Sequence, residues 1–568
     1  MKKIKEFIQK KGIIIILLLA TFFILFNLTR GGMRGDDAIY SFRSIGLVDF
    51  MFADNQPTTL QLFDEFPWWG NFSNHDHPPL IFWIMHVFAI FGQSILIVSI
   101  PFAILGILTV FLVYLLVKEN ANKNVALLGS LLLVINSYFI WFSKITYLEG
   151  GVVFFLILTL YFFIKFLNNK KHWLFFGLSL GLLLITKYTT LFILPVIFFY
   201  LLIKERKVFK RKELYLSVLI VLAVISPVLV YNLMMYKTLG HFDLQWAGVL
   251  GQESPWGLDR TITKDYLGNF VEILKIIGSS TSFAYIGLFC LSVLYFILKK
   301  LRGIIKKKKV KINNYNRILS ISLYSLFFLF LFFIVIVVPG VRFLNIFSPL
   351  MVIVMALAIC DIISSLKNKS KRAFGFIVFV FIGFQLFFVF NTHILNKPMG
   401  KENVFYAKNR NIDYGISSLD SYLNNMLDEK KVVNKVDFYK ELKRRDKGLK
   451  KYKLENSYNY STGEKFYPIF IWDPNINWFS GVWLFERRRF YDNLPFLNAQ
   501  EFIGLTQGPN SVGHFYFIKA TDKAPLTTEK YRSDFSNKLE KQLIEEGVEV
   551  EEIRRYDGEV AFKIYKRE

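Results

Sequence analysis

The sequence predicts an α-helical polytopic membrane protein of about eleven transmembrane helices, followed by a soluble extracytoplasmic α/β domain. Three observations carry that prediction. Apolar runs near the length of a bilayer crossing recur between residues 12 and 391. Lys and Arg collect in the short loops between them. After residue 391 the chain turns polar, and short strand-like runs take over. The 568 residues are 53% hydrophobic and 17% aromatic, which excludes a disordered chain.

The first apolar run, 12–28, follows the basic start "MKKIKEFIQKK". The segment after it, "NLTRGGMRGDD", lacks a small-residue cleavage site, so the run reads as an uncleaved first helix with the N-terminus inside. A polar loop follows on the outer side, and the first outer segment as a whole is read as 30–94. Ten further helices are expected at about 95–117, 124–142, 150–167, 173–186, 189–203, 213–234, 278–298, 317–338, 343–365 and 373–391. This assignment places "NNKKHW", "KERKVFKRKE", "KKLRGIIKKKKVK" and "KNKSKR" on one side, as cytoplasmic loops require. It holds only if 78–92, "PPLIFWIMHVFAIFG", does not span. Fifteen residues of helix rise only about 22 Å, so this segment reads as a juxtamembrane helix started by Pro78 and Pro79.

The net charge of +25 might suggest nucleic acid, but roughly +21 of it lies before residue 392, mostly in those loops. The more balanced charge beyond gives no nucleic-acid footprint. Two cysteines, Cys290 and Cys360, both in apolar runs, exclude a disulfide framework and a cysteine-based zinc site. The expected domains are therefore a transmembrane domain, 1–391, and an α/β domain, 392–568. The latter has strands at 466–472, 514–520 and 560–566 and a helical stretch at 527–547.

The chemistry-bearing residues gather at the expected outer ends of the helices. Asp36 and Asp37 open the first outer loop, and His75, Asp76 and His77 close it. Glu149 lies in "TYLEG", Lys187 in "LLITKYTTLF", His241 and Asp243 in "LGHFDLQW", and Arg342 in "PGVRFLNIFSP". Charges at bilayer edges are costly unless paired or functional, and here they converge on one membrane level. Plainer readings exist for each. Asp36, Asp37 or Glu149 could begin a helix, and Lys187 or Arg342 could snorkel to headgroups. His75 reads as an ordinary loop residue.

These residues resemble those of GT-C superfamily membrane glycosyltransferases, in the family 39, protein-mannosyltransferase and aminoarabinose-transferase-like group. The matching stretches are "DDAIY" (36–40), "HPPLIFW" (77–83), "TYLEG" (146–150), "LLLITKYTTLFILP" (182–195) and "VRFLNIFSPL" (341–350). The resemblance covers about the first 390 residues, with "HPPL" its most specific element. It implies a GT-C fold and an inverting glycosyltransferase. Such an enzyme moves a sugar from a polyprenyl-phosphate donor to an extracytoplasmic lipid, cell-wall polymer or protein.

By that resemblance Asp36 is the catalytic base. Asp37 stands where the family commonly has Glu, and Glu149 where it more often has Asp; these two are expected to orient the acceptor. Lys187, Arg342 and His77 are expected to bind the donor phosphate. Asp76 and His241 could ligate a divalent metal, and imidazole with carboxylate suits Zn²⁺ or Mn²⁺. The partners implied are the polyprenyl-phosphate sugar and membrane lipids, with no nucleic acid, at the cell membrane. Two alternatives are an oligosaccharyltransferase of the same superfamily and a non-enzymatic transporter or flippase of lipid-linked sugars. "PWWGN" (67–71) lacks the Asp of the oligosaccharyltransferase "WWD" signature, and the apolar runs are nearly free of the mid-helix charge a transporter needs.

Overall fold

The computed structural model describes residues 2–53, 56–257, 265–305, 313–397, 412–428, 469–492, 494, 496–506 and 515–567. The start of the expected strand 466–472, residue 514 of the next, and the basic run 306–311 lie outside them. The chain forms two compact units. One comprises residues 1–28, 72–81 and 99–411, the other 29–71, 82–98 and 412–568. The second thus takes in most of the first polar loop, which the sequence reading placed with the transmembrane domain.

The first unit is helical. Seven helices are long and apolar enough to cross a membrane: Ile95–Asn120, Leu148–Asn168, Lys212–Leu239, Phe283–Ile305, Asn314–Val335, Phe343–Ser365 and Asn368–His393. Leu148–Asn168 and Phe343–Ser365 are the most buried of them, and Asn368–His393 the least. Of the remaining expected spans, 12–28 falls largely in helix Lys2–Leu25, and the others form shorter helices. The run 124–142 is not one helix but two, Lys123–Val134 and Ser137–Phe142. The break falls at Asn136, whose side chain accepts the Phe139 N–H at 2.9 Å, the N-cap role for which Asn is favoured. After the expected helix ending at 234 the chain also carries helices Leu244–Leu250 and Tyr266–Thr281, the second reaching into the expected span 278–298.

Glycines permit close approaches in this unit. A Cβ on Gly177 would lie 2.7 Å from the Ser217 carbonyl oxygen and 3.0 Å from its Cα. Helix Trp173–Leu184 therefore meets helix Lys212–Leu239 backbone to backbone, as small residues permit in membranes. A Cβ on Gly151 would lie 2.2 Å from Ile81 Cδ1, so the residues after "HPP" sit directly on helix Leu148–Asn168.

The juxtamembrane segment forms helix Leu80–Ala89, ten residues and too short to cross. It begins just after Pro78 and Pro79, as expected. Trp83, Val87, Ile90 and Phe91 are exposed at helical spacing, an apolar stripe that suits a helix lying on a membrane surface.

The second unit is α/β. Strands β1 (Ile469–Trp472), β2 (Phe496–Asn498), β3 (Phe515–Ala520), β4 (Glu549–Arg554) and β5 (Val560–Arg567) form a sheet ordered β2-β1-β3-β5-β4. β1 is parallel to β2 and β3, while β5 is antiparallel to β3 and β4. Alternation along β1 divides the core. Ile469 and Ile471 face Leu539 and Leu543 of helix Phe535–Glu545. Phe470 and Trp472 face the other way, where Trp472 stacks on Phe485 with ring centroids 5.0 Å apart.

The same unit holds helix Asp36–Gly46, whose Ile39 and Phe42 share a buried cluster with Val482 and Phe490. Its lead-in is tied to the C-terminal residues. Ser480 donates to the Met33 carbonyl at 2.9 Å, Ser417 donates to the Thr29 carbonyl, and Gly32 packs against Ile416 at φ +63°.

The Gly177 contact yields a test. Gly177→Val must force the two helices apart at a backbone contact, an overpacking cost of about 1–3 kcal/mol. The thermal midpoint of the purified chain in detergent should fall, while Gly303→Val, where a Cβ meets nothing within 4 Å, should leave it unchanged.

Candidate functional site

The site in the first unit is built at helix breaks. Helix Trp173–Leu184 ends before Lys187, which is extended and precedes the 3₁₀ turn Tyr188–Phe192. Thr190 holds the Lys187 carbonyl through its N–H at 3.0 Å and its hydroxyl at 2.7 Å. Glu149 sits in the first turn of helix Leu148–Asn168. These two side chains form an ion pair through Glu149 Oε1, with relative exposures of 5% for Lys187 and 3% for Glu149. The other carboxylate oxygen, Oε2, has no hydrogen-bond partner among the described residues.

Arg342 enters from the turn before Phe343–Ile346. Tyr138 donates its hydroxyl to the Val341 carbonyl and anchors that turn. The Lys187 Nζ and the Arg342 Cζ each lie 4.8 Å from the centre of the Phe343 ring, so one aromatic ring brings two cations together. The structure thus assembles Glu149, Lys187 and Arg342, three expected site residues, around a Phe that the sequence reading passed over.

Ile185 and Tyr188, near Lys187 in sequence, line an apolar cavity of about 410 Å³ that Lys187 itself does not line. Its walls include Ile185, Leu229, Leu233 and Trp246, and its few polar lining groups are Tyr188 and Asn232. Those two belong to a buried knot around Asp243, the N-cap of helix Leu244–Leu250. Asp243 accepts from the Gln245 N–H at 3.1 Å, the Trp246 N–H at 3.0 Å, Asn232 Nδ2 at 3.1 Å and the Tyr188 hydroxyl. Burial is the main force pushing its pKa above the usual carboxylate range, and the bonds from Tyr188, Trp246 and Asn232 pull the other way. With its oxygens so engaged, Asp243 holds the cavity wall.

The "HDHPPL" segment joins the same framework. The His75 carbonyl accepts the Leu244 N–H at 2.8 Å, and the Leu80 N–H donates to the Ile185 carbonyl at 3.2 Å. Asp76 pairs with His77 Nδ1 at 3.0 Å and lies 3.8 Å from His75 Nδ1. His241 is placed by Trp256, whose ring centre is 4.9 Å from that of His241 and 6.0 Å from that of His75. His241 Nδ1 lies 2.7 Å from the Phe242 carbonyl. A carbonyl only accepts, so Nδ1 is the donor in this contact. Among the described residues, His241 is not gathered with two other His, Cys, Asp or Glu donors.

Asp36 and Asp37 lie in the second unit, at the start of helix Asp36–Gly46. The cap position is Gly35, and neither acid occupies it. Asp37 is buried and turns back to accept the Gly35 N–H at 2.6 Å and the Arg34 N–H at 3.3 Å. Asp36 is half-buried and receives the Tyr40 hydroxyl at 3.4 Å, one helical turn on. The two carboxylates therefore differ in kind. Asp37 fixes the loop backbone, and Asp36 is the more accessible.

Residues 76–231 match the family described as dolichyl-phosphate-mannose-protein mannosyltransferase. A 150-residue stretch is 34% identical to an uncharacterized protein of Aquifex aeolicus, covering 25% of this chain and 30% of the relative. The aligned stretch is thus under a third of that relative's length. The solved structure of ArnT from Cupriavidus metallidurans bound to undecaprenyl phosphate overlays with a TM-score of 0.50 at 12% identity, covering 97% of this chain and 98% of that one. Its apo state gives the same TM-score and identity, covering 98% and 97%. At that identity the likeness speaks for the fold, and the fold is the one the motifs imply.

The buried pair makes a specific energetic prediction. Lys187→Met leaves the Glu149 carboxylate buried without its cation and should cost about 3–5 kcal/mol of stability. Adding Glu149→Gln to that variant should recover much of the loss. Additive losses in this double-mutant cycle, read by unfolding in detergent, would contradict the pairing.

Proposed function

We propose that this chain, a multi-span membrane glycosyltransferase of the GT-C fold, is an inverting enzyme. It moves a sugar from a polyprenyl-phosphate donor to an acceptor on the outer side of the membrane. The observation that carries this reading is the pair of cations, Lys187 and Arg342, on the Phe343 ring, together with an apolar cavity of about 410 Å³ lined by Ile185 and Tyr188, close to Lys187 in sequence. A polyprenyl phosphate has those two parts, an anionic head and an apolar chain. The undecaprenyl phosphate bound to ArnT, a chain of the same fold, supports it further.

The reaction needs a base, an in-line attack and a stabilised leaving group. An acceptor hydroxyl or amine attacks the anomeric carbon, and Asp36 takes its proton. The bond from that carbon to the phosphate oxygen breaks, its electron pair leaves with the polyprenyl phosphate, and the anomeric centre inverts. Lys187 and Arg342 meet the charge that grows on the leaving oxygen. Arg342 can bind two phosphate oxygens in parallel, and His77 is a third donor. Glu149 holds Lys187 in place and offers its second oxygen to the acceptor. Asp37 holds the loop that presents Asp36. In this reading the N-terminus and the basic loops lie inside, and the active site and residues 392–568 lie outside.

Asp76 and His241 are the proposed ligands for a divalent ion, and their donor types fit Zn²⁺ or Mn²⁺. The Nδ1 contact of His241 with the Phe242 carbonyl fits as well, because a ligating histidine usually donates its other ring N–H to a carbonyl or carboxylate. Two protein donors would leave the remaining positions to water or substrate. Such an ion would add positive charge near the phosphate, and no step above depends on it.

Two measurements test these assignments. Asp36→Asn should lower kcat for release of polyprenyl phosphate by about 10²–10⁴-fold in folded protein, the usual worth of a general base. In the same assay Arg342→Ala should raise KM for the donor. Wild-type turnover in Asp36→Asn would sink the base assignment. For the ion, elemental analysis of protein purified without chelator should find near-stoichiometric metal that Asp76→Ala removes; metal-free wild type rejects the site.

A further inference from the structure

At the other end of helix Ile193–Lys204 from the Lys187 break, a second charged feature is unconnected with the chemistry above. Residues 204–212 read "KERKVFKRK", six basic residues in nine. The segment is not a loose tether. It forms the 3₁₀ turn Arg206–Lys210 between helices Ile193–Lys204 and Lys212–Leu239. Val208 is fully buried, and the Phe209 carbonyl accepts the Tyr215 hydroxyl at 2.9 Å. The backbone bonds Val208 N–H to the Glu205 carbonyl, 2.8 Å, and Arg211 N–H to the Val208 carbonyl, 2.9 Å, close the turn.

The acids in and beside this turn are committed elsewhere. Glu205 is paired with Arg317 at 2.7 Å, and Glu213 with Lys170 at 3.1 Å. Lys204, Arg206, Lys207, Lys210, Arg211 and Lys212 form no ion pair within 4.0 Å among the described residues. Lys204, Arg206, Lys207, Lys210 and Lys212 are exposed. A fixed turn thus carries uncompensated positive charge on a rigid frame.

What lies beside the cations selects the partner. Leu202 and Ile203 on one side, and Tyr215, Val218 and Leu219 on the other, are exposed apolar residues of the two flanking helices. Lys212–Leu239 is one of the membrane-crossing helices. A soluble polyanion would meet that apolar surface with nothing to bury it. A molecule with a phosphate at one end and acyl chains at the other satisfies both zones. We propose that residues 204–212 bind the headgroup phosphate of an anionic phospholipid of the surrounding membrane, with its chains along Tyr215 and Val218.

The test uses the full chain, in mixed micelles holding equal amounts of phosphatidylglycerol and phosphatidylcholine, with bound lipids counted by native mass spectrometry. Wild type should retain phosphatidylglycerol over phosphatidylcholine by about tenfold, and that preference should shrink as salt rises. K207Q/K210Q/R211Q should lose most of the preference, and K207R/K210R/R211K should keep it. The charge-retaining variant and the salt titration keep the test valid if the glutamine variant misfolds. Equal retention of the two lipids by wild type, a preference unmoved by salt, or an undiminished preference in the glutamine variant overturns the proposal. Displacement of phosphatidylglycerol from wild type by a single-stranded RNA would mean a soluble partner and also overturns it. None of these readouts involves sugar transfer, so the proposal stands or falls apart from the enzymatic reading.

Discussion

A lysine ammonium taken out of water is among the costliest groups a protein can hold. At Lys187 that cost is met by a carboxylate, Glu149, buried to the same degree. The pairing constrains the rest of the first unit. The helix carrying Glu149 must begin, and the helix before Lys187 must end, at one level. The turn bearing Arg342 and Phe343 then closes over the pair. One oxygen of Glu149 is left over. A buried ion pair alone is weak evidence of stabilisation, and one that shares an aromatic ring with a second cation is better read as a site.

Helix ends supply the polar groups throughout. Lys187, Asp243 and Arg342 each occupy the position just before a short helical turn, and Glu149 lies one residue inside a helix. Membrane helices tolerate little polarity in their interiors, so the chemistry falls to their termini. In the second unit the same need is met differently. The lead-in to Asp36 is irregular backbone, tied by Ser417 and Ser480 and packed on Ile416. Residues more than 370 positions apart in sequence therefore hold the acidic loop, which gives the C-terminal region a positioning role.

Much of this was legible in the sequence because bilayer physics is a strict editor. Long apolar runs with basic loops could only be membrane helices, and each expected run has a helical counterpart. The short elements were not legible. Asn136 splits what hydropathy reads as one span, because a single N-cap changes the mean hydropathy of a run very little. Strands Phe496–Asn498 and Glu549–Arg554 escaped notice, the first for its length and the second for its four charged residues. Among site residues, the lone charges at helix ends stood out, and Glu149, Lys187 and Arg342 do converge. Phe343, Tyr188, Trp256 and Asn232 did not stand out, since aromatic residues and Asn are common near membrane surfaces. Their roles depend on contacts between distant segments. Asp243 drew notice as a charge, and only its four hydrogen bonds reveal it as a structural one.

The central claim is that Lys187 and Arg342 form the seat of a lipid phosphate. An experimental structure of the full chain in a lipid bilayer with polyprenyl phosphate tests it most directly. Phosphate density is expected within hydrogen-bond reach of both side chains, with the prenyl chain entering the cavity lined by Tyr188. Phosphate bound away from both cations, or a prenyl chain that avoids that cavity, would contradict it.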